Sequence, residues 1–257
     1  MNNDNNSIHD FDIQLIGDYF ANMERQGPGS TEATRKALSF IPPLTPHSQI
    51  ADLGCGTGKQ TRVLAQHAPG NYTGIDIFPK FIHLFNQKAA EAGLDNRVKG
   101  ITGDMAKLPF EKESLDLIWS EGAIYNIGFE RGLHEWRPLL KAEGYLAVSE
   151  ASWFTNERPA EIEQFWLDAY PQMDTIAHKV AQMQEAGYLP VATFVLPDNC
   201  WVENFYEPQV AAQKIFLKKY SGNKAAEALV ANERREAALY NKYKGYYGYL
   251  FYMGKKI

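Results

Sequence analysis

Gly54, Gly56 and Gly58 stand at alternate positions behind the short apolar run Ile50-Ala51-Asp52-Leu53. Glycine reaches backbone conformations that other residues avoid. The stretch therefore reads as a buried strand, a tight turn and the start of a helix, a turn whose backbone can lie against a nucleoside-bearing cofactor. Two further carboxylates fall at comparable places. Asp76 closes Gly74-Ile75-Asp76, 22 residues beyond Gly54, and Asp104 lies in Gly103-Asp104-Met105. A carboxylate at Asp76 can accept from both hydroxyls of a ribose. One at Asp104 can accept from an adenine amino group while Met105 packs on the ring. Each residue also has a plainer reading. Asp76 can cap a helix opened by Pro79, Asp104 can be a loop acid, and Met105 can belong to the core.

The spacing narrows the cofactor. A dinucleotide fingerprint is G-x-G-x-x-G, with its third glycine five positions after the first. Here the pattern is G-x-G-x-G, with Lys59 in the position that a dinucleotide site reserves for glycine. That argues against a nicotinamide-dependent oxidoreductase, which stays as the alternative enzyme. A non-catalytic cofactor-binding protein of the same fold is the alternative outside enzymes. The six histidines are scattered with no short His/Cys ligand spacing, so no metal site is expected. No G-x-S-x-G nucleophile elbow occurs.

These residues need a scaffold that brings strand ends together, and the chain has one. Strand-like runs at Ile50–Leu53, Tyr72–Ile75, Val98–Thr102, Leu115–Trp119 and Tyr145–Ser149 alternate with helical runs at Lys59–Ala68, Pro79–Gly93 and Arg131–Lys141. That alternation predicts a doubly wound α/β domain with a mostly parallel sheet. Two helical runs come first, Ile8–Met23 and Ala33–Ile41, separated by Gly27-Pro28-Gly29-Ser30, with Thr31 as the second helix's N-cap. Residues 1–7, rich in Asn and Asp, are expected to fray. After Glu150 the rhythm changes. Helical runs at Pro159–Tyr170, Thr175–Ala186, Pro208–Tyr220 and Lys224–Lys244 surround a strand at Val191–Leu196, and Tyr246–Met253 is a last strand.

At its motifs the chain resembles the class I S-adenosylmethionine-dependent methyltransferases. The carrying residues are Ala51–Gly58, Gly74-Ile75-Asp76, Gly103-Asp104-Met105, Leu108-Pro109-Phe110 and the approach to the fourth strand at Phe110–Ile118. The likeness is greatest to small-molecule enzymes of the ubiquinone/menaquinone and phosphoethanolamine or sarcosine type. It covers roughly residues 45–155 and speaks for fold and cofactor more than for substrate. It implies a Rossmann-like, seven-stranded sheet in the order 3-2-1-4-5-7-6 with the last strand antiparallel. It also implies a helical lid over residues 1–44 and a methyltransferase domain over 45–257, with helical insertions after residue 155. S-adenosylmethionine would then be held by the turn residues Gly54, Cys55, Gly56 and Gly58, and by Asp76, Ile77, Asp104 and Met105. Asp52 would lie near the methionine amino group, or would instead clasp the glycine turn through its amides.

Around that frame the candidates thin out. Glu121, in the loop after the fourth strand, is the first choice to meet the methionine end or an amine acceptor and to serve as general base; a solvated loop acid is the rival reading. Gln26, beside the glycines at 27 and 29, would reach the cofactor as the lid closes. Tyr19 would face the same cleft or pack in the core. His134 reads as a helix-surface residue and Trp136 as packing. The tail aromatics Tyr240, Tyr243, Tyr246, Tyr247, Tyr249, Phe251 and Tyr252 read as sheet packing ahead of a cation cage.

Composition sets the partners. The net charge is −5 with no basic run, which disfavours nucleic acid and anionic membranes. The first ten residues carry no Lys, Arg or apolar block, and no apolar run is long enough to span a bilayer. With only Cys55 and Cys200, one of them inside the turn, the expected setting is the cytoplasm. The expected partner is a small-molecule methyl acceptor, with a homodimer left open.

Overall fold

The computed structural model describes residues 11–257; the expected fraying of residues 1–7 and the first residues of the Ile8–Met23 run lie outside them. Two short helices come first, α1 (Ile13–Phe20) and α2 (Thr31–Leu38). Asp12 caps α1, accepting from the amides of Gln14 at 2.7 Å and Leu15 at 3.3 Å. Ser30, not Thr31, caps α2: its Oγ accepts from the Ala33 amide at 3.0 Å, and Thr31 is the first helical residue.

The alternating core follows: β1 (Gln49–Leu53), α3 (Lys59–His67), β2 (Asn71–Asp76), α4 (Pro79–Glu91), β3 (Val98–Thr102), β4 (Leu115–Glu121), α5 (Phe129–Trp136) and β5 (Leu140–Trp153). Beyond it come α6 (Ala160–Ala169), a two-residue β6 (Asp174–Thr175), α7 (Ile176–Glu185), β7 (Tyr188–Val195), α8 (Glu207–Lys219), α9 (Lys224–Tyr243) and β8 (Tyr247–Lys256). The strands lie in the order β3-β2-β1-β4-β5-β8-β7, with β6 attached to β5. Only β8 runs against its neighbours, antiparallel to both β5 and β7. Discounting the two residues of β6, this is the expected order with its antiparallel last strand.

The central strands β1, β4, β5 and β8 are buried on both faces, while β3 and β7 at the edges are partly exposed. One core cluster gathers Leu117, Trp119, Phe251 and Met253 with residues of α2, α3 and α4; the other gathers Ile118, Leu146, Val148 and Tyr252 with residues of α5 and α7. Two elements differ from the sequence reading. Pro138 cannot continue a helix, so α5 ends at Trp136, a single 3₁₀ turn covers Arg137–Leu139, and β5 starts at Leu140. β5 is also far longer than Tyr145–Ser149, because Glu150, read as its end, is fully buried. Lys179 of α7 meets Glu150 Oε1 at 3.5 Å, so a charge that looks like a boundary is neutralised inside the sheet. Among the described residues no helix is long and apolar enough to cross a membrane.

Candidate functional site

Three strand ends are tied together by main chain. The amides of Gly54 and Cys55 both donate to the Ile75 carbonyl, at 2.8 and 3.0 Å, which folds the turn after β1 over the end of β2. Asp76, at that end, accepts from the Gly56 amide at Oδ2 (2.8 Å) and from the Phe78 amide at Oδ1 (3.0 Å). The Gly103 amide, after β3, donates to the Asp76 carbonyl at 2.9 Å. Burial pushes the Asp76 carboxyl up, and the amides of Phe78 and Gly56 pull against it. An ionised carboxylate offers about four acceptor sites, so these two amides leave capacity for hydroxyl donors.

The turn needs its glycines. Gly54 has φ +71°, and a Cβ there would stand 2.3 Å from Ala123 Cβ and 3.0 Å from Met105 Cε. Gly58, expected to hold the cofactor, does not line the cavity: with φ +79°, a Cβ there would meet the Phe85 ring of α4 at 2.3 Å, so it serves the packing of the turn. At Gly54 and Gly56 the turn faces the cavity. Bare main chain therefore forms one wall of a cavity of about 490 Å³. Gly54, Cys55, Gly56, Asp76, Ile77, Asp104 and Met105 all line it. Asp104 is exposed and its Oδ1 accepts from the Ala106 amide at 2.8 Å. Met105 is half-buried, and Trp136, read as packing, holds its loop by donating Nε1–H to the Met105 carbonyl at 3.0 Å. Ile77 is 53% exposed, an apolar side chain left open beside Asp76. This set fits an adenosine: carboxylates for hydroxyls and an amine, and flat apolar contacts between them.

Asp52 lies elsewhere. It is fully buried and absent from the cavity wall, and its Oδ2 accepts from the Thr61 hydroxyl of α3. The clasp on the turn's amides belongs to Asp76, not to Asp52. Asp52 Oδ1 has no partner, and burial, with the charges of Glu121 and Asp76 adding, pushes this carboxyl up to about 7. Tyr19 also does not reach the cavity. Its hydroxyl donates to Gln209 Oε1 at 2.8 Å and accepts from Gln213 at 3.1 Å, between α1 and α8. Cys55 is buried, which, with Asp52 and Asp76 nearby, holds its thiol protonated.

Glu121 lines the cavity, yet both its oxygens are engaged. Oε2 meets Arg25 Nη1 at 2.8 Å, while Oε1 accepts from Thr34 Oγ1 at 2.7 Å and Trp119 Nε1 at 3.0 Å. The ion pair is buried, with side-chain exposures of 7% and 4%. A carboxylate with both oxygens so engaged acts as a fastener. It fixes the segment between α1 and α2 to the end of β4. Gln26 fastens the same segment to the turn, its Oε1 accepting from the Thr57 amide at 2.9 Å and its Nε2 donating to the Met23 carbonyl at 3.0 Å.

Beyond Glu121 the cavity becomes a chamber of rings, with Tyr125, Tyr170, Trp166, Trp201, Phe205 and Tyr249 in its wall, together with Glu233 and Glu236 of α9. Sequence reasoning missed these acids; their signal was two glutamates one helical turn apart. Of the tail aromatics only Tyr249 lines the cavity. Tyr247, Phe251 and Tyr252 are fully buried in packing, with Trp201 stacked on Tyr240 at 4.4 Å between centroids.

Comparison with known proteins agrees with this geometry. Residues 51–148, from within β1 to within β5, match a family model described as a methyltransferase domain. The demethylmenaquinone methyltransferase of Porphyromonas gingivalis is 29% identical over 174 residues, covering 64% of this chain and 68% of that protein. A sterol 24-C-methyltransferase of Gibberella zeae is 25% identical over 155 residues, 56% of this chain and only 40% of that protein's length. Among solved structures, an S-adenosylmethionine-dependent methyltransferase from Geobacter sulfurreducens, in complex with S-adenosylhomocysteine, superposes with a TM-score of 0.81. It is 18% identical, with 96% of this chain and 99% of that one covered, a likeness of fold.

Proposed function

We propose, for a chain that carries a class I S-adenosylmethionine-dependent methyltransferase domain, that it moves the methyl group of this cofactor to a small, ring-contacting acceptor held in the chamber. One observation carries this reading. A single cavity runs from the glycine turn and Asp76, past Glu121, to the aromatic wall around Trp201 and Tyr249.

The cofactor supplies a methyl group already activated by its sulfonium. This chain's residues bind, align and exclude water. Asp76 receives the ribose hydroxyls, Asp104 and Met105 the adenine, and Ile77 the face between them. Gly54 and Gly56 let the backbone come close. The aromatic walls keep water from the acceptor. Holding two reactants in line can itself contribute roughly 7–11 kcal/mol, so a catalytic triad is not required. Glu121 serves as a positioning residue: through Arg25 and Thr34 it holds the segment before α2, with Gln26, as a lid over the turn. A cytoplasmic setting belongs to the same proposal and rests on two buried free thiols, Cys55 and Cys200.

Isothermal titration with S-adenosylmethionine and, separately, with NAD tests the reading. Saturable heat with the first and none with the second is expected. No heat at millimolar S-adenosylmethionine, or binding of NAD alone, would overturn it.

A further inference from the structure

The cavity's charges are lopsided. Among the described residues that line it, five carry carboxyl groups, Asp76, Asp104, Glu121, Glu233 and Glu236, and one carries a cation, Arg25. Arg25 is already spent on Glu121. The chamber end therefore holds two acids and no base. An acceptor bearing phosphate or carboxylate would meet like charge there and find no counter-ion. Desolvating it would go uncompensated.

The two acids are not a solvated pair. Glu233 and Glu236 sit one turn apart on the same face of α9, and Glu233 is only 4% exposed. Glu236 Oε1 accepts from the Tyr206 hydroxyl at 3.0 Å. Neither arginine between them lines the cavity. Arg234 Nε donates to Gln213 Oε1 at 2.8 Å, and the Arg235 guanidinium lies 5.8 Å from the centre of the Phe165 ring. Burial, with the charge of Glu236 adding, pushes the Glu233 carboxyl well up, and burial pushes Glu236 up to about 7. Close carboxyls in a dry site share protons in this way. The pair together holds a proton more readily than free glutamates do.

Aromatic side chains stand beside them. Trp166 and Trp201 line the same cavity and are 8% and 1% exposed. Their ring faces, with those of Tyr125, Phe205 and Tyr249, offer the negative π-surface that attracts a cation.

We propose that the chamber is an amine subsite, with Glu233 and Glu236 receiving the ammonium group of a small primary or secondary amine amid these rings and Glu236 acting as the proton acceptor. This rests on the methyl-transfer reading above and names its substrate class. The amine enters as an ammonium and gives one proton to ionised Glu236, which leaves a neutral nitrogen with a free lone pair. That pair forms the new nitrogen–carbon bond as the sulfur–carbon bond breaks, its electrons staying on sulfur as a thioether. The product is a methylated ammonium, and Glu236 returns its proton to solvent. Raised proton affinity is what suits Glu236 to this role; both oxygens of Glu121 are already engaged by Arg25, Thr34 and Trp119.

Three probes of one shape test it: tyramine, its alcohol 4-hydroxyphenylethanol and its acid 4-hydroxyphenylacetate. Each is titrated into the wild-type protein and Glu236→Gln, with and without saturating S-adenosylhomocysteine. The amine is expected to bind roughly tenfold or more tighter than the alcohol, with the acid undetected. Glu236→Gln is expected to erase that preference while leaving S-adenosylhomocysteine affinity within roughly twofold. Equal binding of alcohol or acid, no binding of the amine, or an unchanged preference in Glu236→Gln would overturn the amine subsite even if S-adenosylhomocysteine binds well. Failure of S-adenosylhomocysteine to bind would instead strike the methyl-transfer reading, and the probe series without it still decides the subsite.

Discussion

The two ends of the cavity are built in opposite ways. The glycine-turn end is main chain and short-range geometry: three strand ends cross-linked by amide hydrogen bonds, with Asp76 as their clasp. The chamber end is side chain: Tyr125 from the turn after β4 joins residues of α6, β8, α9, the Tyr170 turn and the segment before α8, all of these others beyond residue 155. The first end can be specified by a few neighbouring residues and shared across many proteins. The second must be assembled from distant parts and is free to differ. The same contrast separates the glutamates. Glu121 is fastened by a cation and two further donors, whereas Glu236 has one hydroxyl donor and another acid beside it.

The largest effect is expected where the ends are joined. Arg25→Met leaves Glu121 buried without its cation, and losing one partner of such a pair costs about 3 kcal/mol or more. Thermal or urea unfolding should show it. Adding Glu121→Gln should recover much of the loss, because the uncompensated charge is then gone. A double variant as unstable as Arg25→Met alone would mean that the pair is not what holds this segment.

Gly54→Ala comes next. It forces a Cβ into the 2.3 Å approach to Ala123 at φ +71°. Affinity for S-adenosylhomocysteine is expected to fall roughly 100-fold, about 2.7 kcal/mol, while tyramine binding in the chamber changes little. Equal losses at both ends would dissolve the distinction between them.

A smaller effect reports on Asp52. Its carboxyl is pushed up from an ordinary 3.8 to about 7 in the folded chain. A raised folded value favours the protonated form, so the stability it contributes is complete below about pH 4 and is lost as pH rises through about 7. Asp52→Asn should therefore gain on the wild type as pH rises from about 4 to 8. Glu233 and Glu236 titrate in the same direction and keep part of the slope in the variant. Urea midpoints that run parallel across this range would contradict it.

How much was legible in the sequence follows the same divide. The turn and the places of Asp76 and Asp104 at strand ends could be read because each is encoded locally, by glycines that the backbone demands and by acids that close short apolar runs; the strand order came from the resemblance to a known family. Glu121 was read as a free base because nothing near it in sequence announces Arg25, 96 residues earlier. Tyr19 was a candidate for the cleft because an amphipathic helix does not say which neighbour its face meets; it meets α8. The tail aromatics resemble one another: Tyr247, Tyr249 and Phe251 share one face of β8, and only Tyr249, paired with Ala151 of β5, lines the cavity. Glu233 and Glu236 looked like an ordinary charged helix until α9 was placed.

The central claim is that cofactor and acceptor occupy separable ends of one cavity. Calorimetric titration of S-adenosylhomocysteine into wild type, Asp76→Ala and Glu236→Gln, each first checked for native circular dichroism, tests it most directly. The account expects Asp76→Ala to weaken binding roughly tenfold or more, and Glu236→Gln to stay within roughly twofold of wild type. Wild-type affinity in Asp76→Ala, or an equal loss in Glu236→Gln, would contradict it.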